Sequence, residues 1–145
     1  MCKKLLLSVA TAVALLATSQ VFAEGQFIDI YPKTEADIKL VINTLEERIA
    51  NHSASDAPPI LLMLHGKEAK RFLRSEYSQN KSLIDATAKL AGFGVLEVKI
   101  CETWMRKNMH GEEELFPFVG TVPYGAGELA RLEEEEGYTE FTVAL

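Results

Sequence analysis

Cysteine is scarce in this 145-residue chain: there are two, Cys2 and Cys101. Tryptophan occurs once, and histidine three times. No cluster of Lys and Arg stands out, and the net charge is -6, which argues against a nucleic-acid partner. An acidic surface also disfavours an anionic membrane. No Gly-rich phosphate loop, internal repeat or low-complexity linker is present. His52 and His110 have no ligand-like spacing with His65 or Cys101, so neither a metal nor another cofactor is expected. The acidic runs 112–114 and 133–136 read as solvated faces.

What is there fits one globular domain, with 48% hydrophobic and 25% charged residues. The N-terminus reads as an export signal. Met1-Cys2-Lys3-Lys4 is a short basic start, and Leu5 to Ala17 is an uncharged apolar run. That run is 13 residues long, short of the roughly 20 that a spanning helix needs. Val21-x-Ala23 supplies the small residues that signal peptidase accepts, so cleavage is expected after Ala23. Residues 1–23 would then be a signal peptide and residues 24–145 a periplasmic or secreted domain, without a membrane anchor. Cys2 leaves with the signal, which makes Cys101 solitary and excludes an intrachain disulfide.

Along residues 24–145, apolar patterns alternate between strand-like and helix-like. Strands are expected at 26–31, 60–64, 95–101, 118–122 and 138–145. Helices are expected at 35–50, 67–75, from Asn80 or Ser82 to Gly92, 103–109 and 127–136. Thr34 and Asp37 suggest a capping box for the first, and Gly137 a C-terminal cap for the last. Ile60 to Leu64 is apolar throughout, as a central strand covered on both faces must be. The order β-α-β-α-α-β-α-β-α-β implies an α/β fold: a small, open, mostly parallel five-stranded sheet with helices on both faces.

Ligands of such sheets bind at the carboxyl ends of the strands. That rim collects His65 and Gly66, Cys101 and Thr103, and Pro123 to Gly125. Cys101 precedes a helix start, where free N–H groups stabilise a thiolate, and Arg106 and Lys107 could add positive charge. The alternative is a buried, inert packing cysteine. His65 is either a base or orienting group for Cys101, or a histidine satisfied by its own loop. Nothing in the sequence specifically supports a Cys/His/Asp triad. Trp104 to Met109 and Leu115 to Phe118 offer apolar material for an interface.

An ordered set of short segments then carries a resemblance. His65-Gly66 after an apolar strand is followed by Val98-x-Ile100-Cys101-Glu102-Thr103-Trp104-Met105. Leu115-Phe116-Pro117, Val122-Pro123-Tyr124-Gly125 and Glu136-Gly137-Tyr138 come next. From about Phe27 to Leu145 the chain resembles the DsrE/DsrF-like family of sulfur-relay proteins, in its exported single-domain form. The resemblance implies a five-stranded α/β fold and a trimer or hexamer. It also implies a sulfur carrier that holds a persulfide on Cys101 between donor and acceptor proteins. His65, Gly66 and Pro123 match the family's rim. Two other readings of the same residues stand beside it. One is an oligomeric module that binds a small ligand or a protein, with a structural cysteine. The other is a thiol hydrolase or reductase. Whether the chain turns over a substrate is left open.

Overall fold

The computed structural model describes residues 25–30, 34–51 and 58–142. The expected signal peptide, Cys2, His52, Val143 and Leu145 lie outside them.

Five strands form one parallel sheet in the order β4-β3-β2-β1-β5. They are β1 (Gln26–Asp29), β2 (Ile60–Leu64), β3 (Leu96–Cys101), β4 (Val119–Val122) and β5 (Thr139–Glu140). All five residues of β2 are buried, as its unbroken apolar run requires. Its centre, Leu62, stands between Ile28 of β1 and Val98 of β3.

Successive strand residues point to opposite faces, and the two faces are covered unequally. On one face Ile28, Leu62, Leu64, Val98 and Ile100 meet three helices. These are α1 (Glu35–Asn51), α2 (Tyr77–Gly92) and α3 (Glu102–Lys107). Ile38, Val41, Ile42 and Leu45 of α1 and Leu83, Ile84 and Leu90 of α2 fill that core. On the other face Phe27, Leu61 and Met63 meet Leu129 and Leu132 of a single helix, α4 (Gly125–Glu136). The fold is therefore α/β with an open parallel sheet and helices on both faces, three against one.

Local signals explain the helix ends. The Thr34 backbone N–H donates to Asp37 Oδ2 at 2.6 Å, and the Asp37 N–H to Thr34 Oγ1 at 3.3 Å, a reciprocal cap. Gly137 ends α4 with φ at 70°, a left-handed conformation that glycine adopts without a Cβ penalty.

The segment after β2 departs from expectation. Instead of one helix over 67–75 there are two 3-10 segments, Lys67–Phe72 and Arg74–Glu76. Leu73 breaks them: it is fully buried, extended, and bridged antiparallel to Leu115. Burying that side chain wins over continuing the helix. Helix α2 begins at Tyr77, ahead of Asn80 and Ser82. Asn80 marks a kink, where its side-chain amide donates to the Glu76 carbonyl at 3.0 Å. Helix α4 begins at Gly125 rather than Gly127. Strand β5 is only Thr139–Glu140, although Phe141 packs against the main core.

Leu115 to Phe118 does not form an exposed apolar surface. Leu115 is buried, while Phe116 and Phe118 are half-buried and stacked on each other against the core. Trp104 stacks on His110. Of the large apolar side chains described in that region, only Met109 stands fully in solvent. Among the described residues no helix is long and apolar enough to cross a membrane.

Candidate functional site

The unequal cover defines where the sheet opens. The chain leaving β3 enters α3 on the three-helix face, whereas the chain leaving β4 enters α4 on the other face. Adjacent strands whose exits diverge leave a crevice at their carboxyl ends, and open α/β sheets bind ligands there. Cys101 ends β3, and Val122 pairs with it from β4.

Cys101 sits where β3 passes into α3, with its backbone still extended. The Gly125 N–H, the first of α4, donates to its sulfur at 3.3 Å. Burial pushes the thiol pKa up. The Gly125 N–H bond, together with the nearby N–H groups of Trp104 and Thr103 and the Thr103 hydroxyl, outweighs it, so the thiol lies below its ordinary value. Thr103 Oγ1 also donates to the Pro123 carbonyl at 3.0 Å. The hydroxyl has one hydrogen, so when it serves Pro123 the backbone donors alone hold the sulfur. That same bond ties the β3 turn to the β4 turn. Cys101 is 4% exposed.

The Arg106 guanidinium, expected to add positive charge near the thiol, is bound by its own neighbours. It donates to Glu102 at 3.3 Å and to Thr103 Oγ1 at 3.1 Å. The fixed dipoles of the backbone do what a nearby cation was expected to do.

Gly125 is where three strand ends converge. A Cβ on it would meet His65 Cβ at 3.0 Å, Met63 Sδ at 3.2 Å and Cys101 Cβ at 3.3 Å. Only glycine lets the α4 backbone come this close. It follows that His65 and Cys101 are neighbours across the start of α4.

The His65 ring is held from below. Its Nε2–H donates to Asp29 Oδ1, at the end of β1, over 2.7 Å. That hydrogen bond raises the His65 pKa, burial opposes it, and the charges of Asp29, Glu68 and Cys101 add to the rise. The His65–Gly66 turn rests on the buried carboxylate of Glu68. Its Oε1 accepts from the N–H groups of His65 at 3.2 Å and Gly66 at 2.6 Å.

The structure thus brings together Cys101, His65, Gly66, Thr103, Pro123 and Gly125. Asp29 and Glu68 join them, and sequence reasoning had passed both over. Asp29 could have been found, since it too ends a parallel strand. Glu68 carries no local signal: its role comes from a turn whose geometry the helical pattern concealed. Among the described residues, no group of three or more His, Cys, Asp or Glu side chains is arranged to hold a metal. A groove of about 350 Å³ between α1 and α2, lined by Lys39, Asn43, Glu46 and Ser82 among others, shares no residue with the rim.

No protein-family model and no curated protein matches the chain. Among solved structures it is similar to MTH1491 from Methanobacterium thermoautotrophicum, a protein of unknown function. The likeness has a TM-score of 0.56 at 20% sequence identity, over 81% of this chain and 93% of that one. At that identity the likeness speaks to the fold alone.

Proposed function

We propose that this chain is an exported DsrE-like sulfur carrier that holds sulfane sulfur as a persulfide on Cys101. The observation that carries the reading is the Gly125 N–H that meets the Cys101 sulfur at 3.3 Å at the sheet's opening. Three backbone N–H groups and a hydroxyl favour the anionic form of Cys101. Hydrogen bonds to a charged acceptor contribute about 1.5–3 kcal/mol each. The same donors suit a persulfide anion, whose negative charge would sit at the start of the 12-residue α4. A carrier needs no resolving cysteine, and residues 24–145 contain none beyond Cys101. On this reading residues 1–23 direct export, and the domain works as a homo-oligomer, a trimer or hexamer, between a donor and an acceptor protein.

The test is intact-mass spectrometry of residues 24–145 after incubation with thiosulfate or polysulfide. A sulfur adduct that is absent from Cys101→Ser supports the carrier. Absence of any Cys101-dependent adduct overturns it. Light scattering on the same sample reads the assembly, and a monomer would remove the oligomer from the proposal.

The 4% exposure of Cys101 favours a second reading, a non-catalytic binding module in which the cysteine packs. It predicts slow alkylation and a Cys101→Ser variant that keeps ligand binding and assembly.

A further inference from the structure

Asp29, His65 and Cys101 come from the ends of three adjacent strands, β1, β2 and β3. The link from Asp29 to His65 is a 2.7 Å hydrogen bond, with His65 side chain 15% and Asp29 31% exposed. The link from His65 to Cys101 is shared contact with Gly125: both Cβ atoms lie within 3.3 Å of the same point. The ionisable groups that act on His65 include Asp29 from β1, Glu68 from the 3-10 segment and Cys101 from β3. From α4 the contact is the Gly125 backbone, which carries no charge. All three of these groups are acidic, and each favours a proton on the imidazole.

We propose that Asp29 and His65 form a proton-holding pair for Cys101, suiting the site to persulfide donors whose leaving group is a thiol. This rests on the carrier reading above. The Cys101 thiolate attacks the outer sulfur of a donor R–S–SH. A Cys101 S–S bond forms as the donor's S–S bond breaks, and the electron pair leaves on R–S⁻. That thiolate takes the imidazolium proton and departs as R–SH, leaving Cys101–S–SH and neutral His65. Solvent then returns the proton to His65. Asp29 is the positioning residue, because it touches the imidazole and keeps it charged. A donor that leaves as sulfite has no such need, since sulfite departs readily without a proton.

The experiment compares two small disulfides as probes of Cys101. Hydroxyethyl disulfide releases an alkyl thiol that needs a proton, whereas dithiodipyridine releases a group that does not. Rates are compared at the maximum of each pH–rate profile, where thiolate and imidazolium coexist, and are corrected for the thiolate fraction of each variant. Asp29→Asn and His65→Gln are expected to slow the alkyl probe by roughly 100-fold, within the range of general acid catalysis. The aromatic probe should change little. NMR titration of His65 should show its midpoint falling in Asp29→Asn. Equal slowing of both probes, or an unmoved His65 midpoint, overturns the pair while leaving sulfur loading intact. The split between probes without any sulfur loading upholds the pair and removes the carrier. Failure of Cys101 to react with either probe overturns both.

Discussion

The backbone N–H of Gly125 reaches the sulfur of Cys101 at 3.3 Å, from 24 residues further along the chain. This contact ties the end of β3 to the start of α4, and it exists because residue 125 lacks a Cβ. Gly125→Ala therefore has a definite outcome. The added methyl would lie 3.0–3.3 Å from His65, Met63 and Cys101, of which the first and last present their own Cβ atoms. These are the stiff ends of side chains, so backbone must move. A loss of about 1–3 kcal/mol is expected in denaturant unfolding. The N–H should also draw away from the sulfur, moving the midpoint of alkylation by iodoacetamide to higher pH. An unchanged midpoint would show that Gly125 does not support the thiolate.

Thr103 offers a milder test of the same cradle. Its hydroxyl donates to the Pro123 carbonyl at 3.0 Å and lies close enough to the sulfur to lower the thiol pKa. Thr103→Val keeps the shape and removes the donor. The alkylation midpoint should rise, though less than on loss of a backbone donor, because Gly125, Trp104 and residue 103 itself still present N–H groups. Stability should fall by about 0.5–1.5 kcal/mol, the worth of one hydrogen bond. Alkylation rate against pH and a thermal melt read the two effects separately.

How much of this was legible in the sequence depends on the range of the interaction. Ile60 to Leu64 and Leu96 to Ile100 announced their strands because side-chain alternation and burial are local. The rim followed from strand order, which placed Cys101, His65 and Gly125 on one edge. The partners of those residues did not follow. Asp29 meets His65 only after two strands pair, 36 residues apart. The two 3-10 segments after Gly66 were hidden because Ala69, Phe72 and Leu73 recur at a spacing that suits a helix as well. Glu68 was hidden with them. The engagement of Arg106 by Glu102, one turn earlier on the same short helix, was likewise not singled out in the sequence.

Glu68 has a large structural stake for a charged residue. It is 5% exposed, and its Oε1 accepts two backbone N–H groups in the turn that carries His65. Glu68→Ala strands both donors, at about 1–3 kcal/mol each. The variant should lose roughly 2–5 kcal/mol in denaturant unfolding. Glu68→Gln keeps an acceptor oxygen in place and should lose less than half of that. Equal losses would mean that the negative charge, rather than the acceptor, holds the turn.

The His65–Asp29 pair also predicts how stability varies with pH. In the fold the histidine pKa is raised, first by the Asp29 hydrogen bond, against the opposing effect of burial. The unfolded value is about 6.5. A raised folded value means that the folded state binds the proton more tightly than the unfolded one. The resulting stabilisation is complete below about pH 6.5 and fades as pH rises through the folded value. Asp29→Asn removes the main cause. The stability gap between the native chain and Asp29→Asn should therefore be widest below about pH 6.5 and narrow above the folded His65 midpoint. Urea unfolding across that range measures it, with His65→Gln as the control in which the pH-dependent part of the gap vanishes. A gap that stays constant with pH would place the Asp29 contribution in packing rather than in the proton on His65.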